Sequence, residues 1–253
     1  MILHSLYRFN VWNRINEANE EDGIISFLET GDLDNIDLAE QIAIGLGLDI
    51  NKIIENKFGE LFDIVGGYPY TTKSLKIISK IKEIRLPNFD LKSIPSEISI
   101  LKDAYILDLR NNELSSIPES IGDMNLKSIH ISSNSKFTKL PNTICKLREL
   151  VVLAANYCDL REIPNNIDQL TELNILWLSG NKNLSTIPES LTNLQNLERL
   201  YLNRTAISSL PTSMSKLSNN LEYLNIRETN ISRSEVYKLV NELPYTTIIS
   251  DYD

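Results

Sequence analysis

Apolar and polar residues alternate over short stretches that recur along most of this chain. Between residues 81 and 231 such a stretch returns seven times, at intervals of 22 to 24 residues. Alternation is typical of a β-strand that buries one face and exposes the other. The buried positions come in pairs: Ile84/Leu86, Leu107/Leu109, Ile129/Ile131, Leu153/Ala155, Leu176/Leu178, Leu200/Leu202 and Leu224/Ile226. The pattern therefore predicts seven short strands, one in each repeat.

Two further features follow each strand. Three residues after the second buried residue lies a position that we call the ladder position, occupied by Phe89, Asn112, Asn134, Cys158, Asn181, Thr205 and Thr229. Short polar side chains there can bond backbone groups that a turn leaves unpaired, whereas Phe89 cannot, which makes the first repeat degenerate. An apolar–proline pair, such as Ile187–Pro188, then ends strand pairing because proline lacks an N–H. Two apolar residues at i, i+3 spacing predict a short helical or 3₁₀ turn afterwards.

These repeats resemble the leucine-rich repeat family, in the class of roughly 23 residues written LxxLxLxxNxLxxIPxxIxxLxx. The clearest copy runs from Leu173 through Asn181 and Pro188 to Leu194. The resemblance implies an α/β fold, a right-handed solenoid with a parallel sheet on its concave side and short helical or 3₁₀ turns on its convex side. It also implies protein ligands in most members and no enzymatic activity. We assign residues 73–231 to the repeats.

Apolar residues in the segment before the repeats have helical spacing. Asn35 is the expected N-terminal cap of one helix, whose apolar face runs from Ile36 to Leu46 and which ends at Gly47. Asp49 is expected to cap the next helix. We predict that residues 1–72 form an α-helical cap over the first repeat, which would otherwise expose its apolar end. Residues 232–253, with a longer helix and a last strand at 246–249, are predicted to form the carboxy-terminal cap.

The charge of the chain is concentrated before the repeats. The net charge is −9; residues 1–72 hold 13 acids and four bases, and the remainder holds 21 of each. This distribution argues against nucleic acid as a partner, which requires a basic surface. No segment is long and apolar enough to insert into a membrane, and the first residues lack a signal-peptide pattern. Together with only two cysteines, these observations predict a cytoplasmic protein if the chain is complete.

Aligning the predicted strands shows which side chains share the exposed face. The central column reads Arg85, Asp108, His130, Ala154, Trp177, Tyr201, Asn225, and the column before it reads Glu83, Ile106, Ser128, Val152, Ile175, Arg199, Tyr223. Aromatic, aliphatic and arginine residues concentrate on repeats four to seven, the composition of interface hot spots. The predicted partner-binding residues are Val152, Tyr157, Ile175, Trp177, Arg199, Tyr201, Arg204, Tyr223 and Arg227. Alternatively, these large side chains only fill space between neighbouring strands.

Catalytic chemistry has little support in the sequence. His130 has no second ligand or paired base, so we interpret it as a surface contact, and Cys145 and Cys158 as buried packing residues. Asp108 and Glu83 are expected to form ion pairs with arginines on neighbouring strands. The spacing of residues predicts no metal site and no cofactor.

The leading hypothesis is a non-enzymatic, monomeric protein-interaction module that binds an unidentified protein on the concave face of repeats four to seven. The first alternative is an exported or cell-surface protein that binds carbohydrate or a host ligand, because tryptophan and tyrosine also stack on sugars. The second is an enzyme or effector with its catalytic part in residues 1–72, a segment that lacks a nucleophile–base or metal constellation.

Overall fold

A computed structural model describes residues 19–252 of the chain. Residues 1–18 of the predicted cap lie outside this range, and so do the first residues, which lack a signal-peptide pattern in the sequence. The described residues fall into two compact units. The first comprises residues 19–81 together with Glu97–Asp103, and the second comprises Lys82–Ser96 together with residues 104–252. The role of the first unit as a cap stays a prediction.

The first unit contains helices. They are α1 (Glu20–Leu28), α2 (Leu33–Leu46), α3 (Ile50–Val65) and α4 (Thr72–Ile78). The longest of them, α3, has a regular apolar stripe, and its residues Ile54, Phe58 and Phe62 are fully buried. Leu28 of α1 and Ile36 of α2 are also fully buried, so the helices share one core. Burial of such side chains stabilises the folded state by about 1.5–3 kcal/mol each.

The caps of α2 and α3 follow the sequence in most respects. Asp49 accepts hydrogen bonds from the first turn of α3, and Gly47 ends α2 at a φ of 72°, as predicted. The expectation for Asn35 is wrong: the cap of α2 is Asp32, whose carboxylate accepts from the backbone N–H of Asn35 at 3.2 Å. Asp32 can do so because the chain turns before it, at Gly31 with a φ of 67°. At the other end of α2, the Leu46 side chain is exposed.

The second unit is built on a parallel sheet of eight three-residue strands in sequential order. The strands are β1 (Glu83–Arg85), β2 (Ile106–Asp108), β3 (Ser128–His130), β4 (Val152–Ala154), β5 (Ile175–Trp177), β6 (Arg199–Tyr201), β7 (Tyr223–Asn225) and β8 (Thr247–Ile249). All seven predicted strands are confirmed, and so is the additional last strand. A helix, α5 (Arg233–Glu242), precedes β8.

Short 3₁₀ helices connect the strands on the return path of each repeat. They are Ser96–Ile100, Glu119–Asp123, Asn142–Lys146, Ile167–Gln169, Glu189–Asn193 and Met214–Leu217. Pro118, Pro141 and Pro188 each stand directly before one of these helices, in extended conformation. The predicted turns are thus confirmed, and proline marks the change from extended chain to 3₁₀ turn because its φ is fixed.

Asparagines at the ladder position join neighbouring repeats. Asn181 is fully buried, and its amide nitrogen donates to the carbonyl oxygens of Ala155, in the preceding repeat, at 2.8 Å and of Leu178, in its own repeat, at 2.7 Å. Its amide oxygen accepts from the N–H of Leu160 at 3.0 Å. Asn112 and Asn134 bond in the same way. Each asparagine therefore satisfies backbone groups that no strand partner reaches.

Repeats three and five carry one extra residue before the apolar–proline pair, and the ladder changes after each of them. In these two repeats the apolar residue three positions after the ladder asparagine is Phe137 or Leu184. Its N–H donates to the backbone carbonyl oxygen of that asparagine, Asn134 or Asn181, at 3.0 Å. The following ladder positions are Cys158 and Thr205. An asparagine at either position would find the backbone N–H that Asn112, Asn134 and Asn181 bind in the preceding repeat already used.

The residue before each ladder position has a left-handed backbone. The positive φ values occur at Asn88, Asn111, Ser133, Tyr157, Gly180, Arg204 and Glu228. A left-handed conformation costs a residue other than glycine about 1–2 kcal/mol, with asparagine the most tolerant. The stacked turns impose this conformation on every repeat, so tyrosine, arginine and glutamate adopt it as well.

Candidate functional site

The register of the sheet places the first and third residues of each strand on one exposed surface, which we call the sheet face. The first residues in order are Glu83, Ile106, Ser128, Val152, Ile175, Arg199, Tyr223 and Thr247, and the third residues are Arg85, Asp108, His130, Ala154, Trp177, Tyr201, Asn225 and Ile249. Both columns match those predicted from the sequence, and β8 extends them. The middle residues of β1–β7 are buried on the opposite side.

Polar groups on the β1–β3 part of the sheet face are already paired. The Glu83 carboxylate accepts hydrogen bonds from Arg85 at 2.8 Å and from the Tyr105 hydroxyl at 2.9 Å. The Asp108 carboxylate accepts two from the Arg110 guanidinium, at 2.9 and 2.7 Å. The expected pairing between neighbouring strands is therefore wrong. Residues i and i+2 lie on the same face, so each arginine reaches back along its own strand.

These contacts lower the pKa of both carboxyl groups. Hydrogen bonds from Arg85 and then Tyr105 hold the pKa of Glu83 below its usual value. Burial acts to raise the pKa of Asp108, but the hydrogen bonds and charge of Arg110 outweigh it, and this pKa is lowered too. Both groups remain ionised near neutral pH, and neither has the raised pKa that a carboxylic general acid needs.

His130 is half-buried beside Ser128, whose hydroxyl lies 2.7 Å from its Nε2. Burial lowers the pKa of His130 and outweighs the opposing charge of Asp108, so the ring is neutral at pH 7. Both carboxylate oxygens of Asp108 bond to Arg110. Within residues 19–252, no hydrogen bond orients the second nitrogen of His130. The contact thus lacks the third group that orients a catalytic histidine.

The β4–β7 part of the sheet face is aliphatic and aromatic. We define the aromatic patch as Val152, Ile175, Trp177, Tyr201 and Tyr223, all of them half-buried. The rings of Trp177 and Tyr201 meet edge to face with centroids 5.8 Å apart, and those of Tyr201 and Tyr223 lie 5.0 Å apart at an angle of 38°. Packing between neighbouring rings restricts the rotamers of the three side chains, so a ligand would meet a surface that is already ordered.

Arg199 lies on this surface between two members of the patch. It pairs in register with Ile175 on β5 and with Tyr223 on β7. Its side chain is exposed. Among the residues described, it forms no ion pair, side-chain hydrogen bond or cation–π contact. A free guanidinium therefore stands within an otherwise apolar part of the face.

The remaining predicted binding residues lie in the turns after the strands. Arg204 donates from its Nε to both carboxylate oxygens of Glu228, at 3.1 and 3.0 Å, and Arg227 lies 3.8 Å from the Asp251 carboxylate. Tyr157 also belongs to these turns. The structure thus separates the nine predicted residues into six on the strands and these three in the turns.

Tyr157 lies against Gly180 in the next repeat. A Cβ atom at Gly180 would stand 2.4 Å from a ring carbon of Tyr157, so glycine is required for this contact. The ring forms one wall of an open groove of about 630 Å³, lined by Tyr157, Gly180, Lys182, Arg204, Thr205, Ala206, Glu228 and Asn230. This groove runs along the turns, and none of its lining residues belongs to the aromatic patch.

Sequence reasoning did not include Ile249 among the site residues. Ile249 is half-buried and continues the central column beyond Asn225. The signal was present, because residues 246–249 were predicted to form a last strand. Continuing the columns by one strand would have placed Ile249 on the sheet face.

The described residues show no reactive centre elsewhere. Cys145 and Cys158 are buried, and burial raises the pKa of each thiol to about 11, so neither forms a thiolate readily. Between residues 19 and 252, no group of three or more histidine, cysteine, aspartate or glutamate side chains is arranged to hold a metal ion. In the same range no helix has the length and apolar character needed to cross a membrane.

Several solved structures are similar to this chain. A leucine-rich repeat protein of Leptospira interrogans is 24% identical, with a TM-score of 0.42 over 70% of this chain and 56% of its own. The plant peptide hormone receptor RGFR1, solved in complex with RGF2, is 28% identical, with a TM-score of 0.59 over 69% of this chain and 29% of its own. The leucine-rich repeat domain of the type III effector XopL is 22% identical, with a TM-score of 0.55 over 68% of this chain and 70% of its own. The chain therefore spans 56% and 29% of the first two.

Family profiles agree with the structural comparison. A profile described as a leucine-rich repeat region matches residues 123–243, and one described as a leucine-rich repeat matches residues 105–124. No characterised protein matches the chain in a sequence comparison. The matched residues contain β2 to β7 and most of the sheet face. The chain is a leucine-rich repeat protein.

Proposed function

We propose that this chain binds a segment of another protein on the aromatic patch of its sheet face. The leucine-rich repeat fold is generally a protein-interaction module. In this chain the interaction surface would be the aromatic patch, and the protein would be non-enzymatic, monomeric and cytoplasmic. The similar receptor RGFR1 was solved with RGF2 bound, which supports a polypeptide as the kind of ligand.

The observation that carries the proposal is the contrast between the two parts of the sheet face. On β1–β3 the charged groups satisfy one another, and breaking these pairs would cost a ligand part of its binding energy. On β5–β7 three rings packed in a row, Trp177, Tyr201 and Tyr223, are half-exposed on the sheet face. Rigid aromatic rings supply large buried area at low entropic cost, as hot spots do.

Carbohydrate binding has less support from the geometry. Sugars stack on open ring faces, but Tyr201 has a ring on each side, Trp177 at 5.8 Å and Tyr223 at 5.0 Å. The edge-to-face arrangement of Trp177 and Tyr201 also leaves no common plane on which a chain of sugars could lie. The patch is better suited to apolar side chains that insert between rings.

The test is a selection of random 12-residue peptides, displayed on phage, against the purified full chain. The Trp177→Ala/Tyr201→Ala variant should fail to enrich the peptides that the wild type enriches, because truncation of hot-spot rings lowers affinity by about 30-fold or more. The Glu83→Ala/Arg85→Ala variant changes the other end of the same face and serves as the matched control. Its selection should resemble that of the wild type.

Stability must be followed in parallel, since a misfolded variant would also lose binding. The rings lie on the outside of the sheet. The Trp177→Ala/Tyr201→Ala variant should therefore lose most of its peptide enrichment while its melting temperature stays close to that of the wild type. Loss of binding in proportion to loss of folded protein would contradict the proposal, and so would normal enrichment by this variant.

A further inference from the structure

We propose that the bound segment carries a carboxylate that pairs with Arg199, so that the partner is an acidic residue flanked by apolar ones. This inference rests on the proposed function and specifies the chemistry of its ligand. It comes from the one charged side chain that the aromatic patch surrounds.

The position of Arg199 makes its charge unavoidable for any ligand on the patch. Its strand neighbours in register are Ile175 and Tyr223, and Tyr201 lies two residues further along the same strand. A segment that covers the rings of β5–β7 must pass over or beside the guanidinium. It therefore removes water from a charge that is exposed in the free protein.

Other arginines of the sheet face and its turns are neutralised within the chain. Arg85 pairs with Glu83, Arg110 with Asp108, Arg204 with Glu228 and Arg227 with Asp251. Arg199 is the exception among the described arginines at these positions. The unpaired charge thus coincides with the part of the face that is aromatic.

Neighbouring carboxylates do not replace the missing partner. Glu198 directly precedes β6 and Glu222 directly precedes β7, yet within the described chain neither forms an ion pair with Arg199. Both precede the first residue of their strand, where the side chain points away from the sheet face because of the alternation. A carboxylate able to reach Arg199 from above the face must come from another molecule.

The energetics favour an acidic ligand over a purely apolar one. Covering an unpaired charge with apolar groups carries a desolvation penalty, which would cancel much of the gain from burying the rings. A carboxylate placed over the guanidinium restores the interaction and can form two parallel hydrogen bonds with it. A single arginine among aromatic rings does not provide the cluster of cations that binds nucleic acid.

The experiment compares peptides selected from the 12-residue display library by four purified full-length proteins. These are the wild type, Arg199→Glu, the matched control Arg148→Glu and Trp177→Ala/Tyr201→Ala. Arg148 is exposed, precedes β4 and has no ion pair among the described residues, so its substitution changes the net charge equally at a different place. The readout is the frequency of aspartate and glutamate beside apolar residues in enriched peptides.

The wild type and Arg148→Glu should enrich acidic, apolar peptides, and Arg199→Glu should lose this preference or favour lysine and arginine. A synthetic peptide of the wild-type consensus should bind Arg199→Glu about tenfold or more weakly, with little change for Arg148→Glu. Its affinity for the wild type should also fall as sodium chloride is raised.

The outcomes separate the inference from the proposed function. If enrichment depends on Trp177 and Tyr201 but shows no acidic preference, or survives Arg199→Glu unchanged, the carboxylate is wrong and the binding surface stands. If the wild type enriches no peptide above background, or the Trp177→Ala/Tyr201→Ala variant selects the same peptides, the surface is wrong and the inference falls with it.

Discussion

Replacing Asn181 by alanine should be among the most destabilising single changes in the repeats. Its side chain is fully buried and makes three hydrogen bonds, to the carbonyl oxygens of Ala155 and Leu178 and from the N–H of Leu160. Alanine would leave these three backbone groups without a partner in a place that water does not reach. At about 1–1.5 kcal/mol for each lost bond, the loss amounts to about 3–4.5 kcal/mol.

Thr205 provides the matched comparison at the next ladder position. It is also buried, but its hydroxyl makes one hydrogen bond, to the carbonyl oxygen of Leu202 at 2.7 Å, within its own repeat. Thr205→Ala should therefore cost about 1 kcal/mol. The difference between the two variants measures the contribution of bonds that pass between repeats.

The assay is equilibrium unfolding in urea, followed by circular dichroism, with the midpoint and slope fitted for each variant. The midpoint of Asn181→Ala should fall about three times as far as that of Thr205→Ala at an unchanged slope. Equal shifts would refute the view that inter-repeat bonds dominate the ladder's contribution. A reduced slope would show that repeats unfold separately, and hydrogen exchange would then replace the midpoint as the measure.

Two further predictions concern pH and backbone geometry. Because the folded-state pKa of His130 is lowered, the unfolded chain binds the proton more readily, so stability should fall as pH drops below about 6.5, and His130→Asn should flatten urea midpoints between pH 7.5 and 5.5; parallel profiles would contradict this. Gly180→Ala should lower stability by about 1–3 kcal/mol in thermal unfolding, since φ is 75° and the new Cβ would strike the Tyr157 ring. Adding Tyr157→Ala should recover the part due to the clash; no recovery would attribute the whole loss to the backbone.

The strands and their register could be predicted because one physical requirement repeats. Residues such as Leu107, Leu176 and Leu224 are fully buried, and each stands at the centre of a strand. Strand length is short and side chains alternate, so a single buried residue fixes which neighbours face outward. Register then follows from aligning the buried positions of successive repeats, although the repeat length varies, and the paired columns agree with the sequence over all seven repeats.

Features that depend on competing local contacts were not predictable in the same way. Asp32 rather than Asn35 caps its helix, because the turn at Gly31 decides where the helix begins. Likewise, Arg85 and Arg110 could reach a carboxylate on their own strand or on the next one. Sequence spacing permits both, and only the three-dimensional path of the long side chain decides between them.

The candidate site was predictable as a set of columns but not as a shape. Trp177 and Tyr201 lie together on the face as the alignment of repeats indicates. Tyr157 and Arg204 each lie three residues after a strand of the face, β4 and β6, yet their left-handed backbone turns them into the groove beside the strands. The positive φ arises from the stacking of turns, a constraint that no single repeat reveals.

The ladder described above is uneven along the sheet, and this has a consequence for adaptability. Asn112, Asn134 and Asn181 fasten each repeat to the one before it, whereas Thr205 and Thr229 donate only to carbonyl oxygens of their own turns. The last repeats, which carry much of the aromatic patch, are thus held by fewer buried side-chain bonds across their junctions. They can open or change their spacing at a lower cost in free energy than the asparagine-joined repeats. A segment bound across β5–β7 would add contacts between repeats where the chain has few buried side-chain bonds of its own.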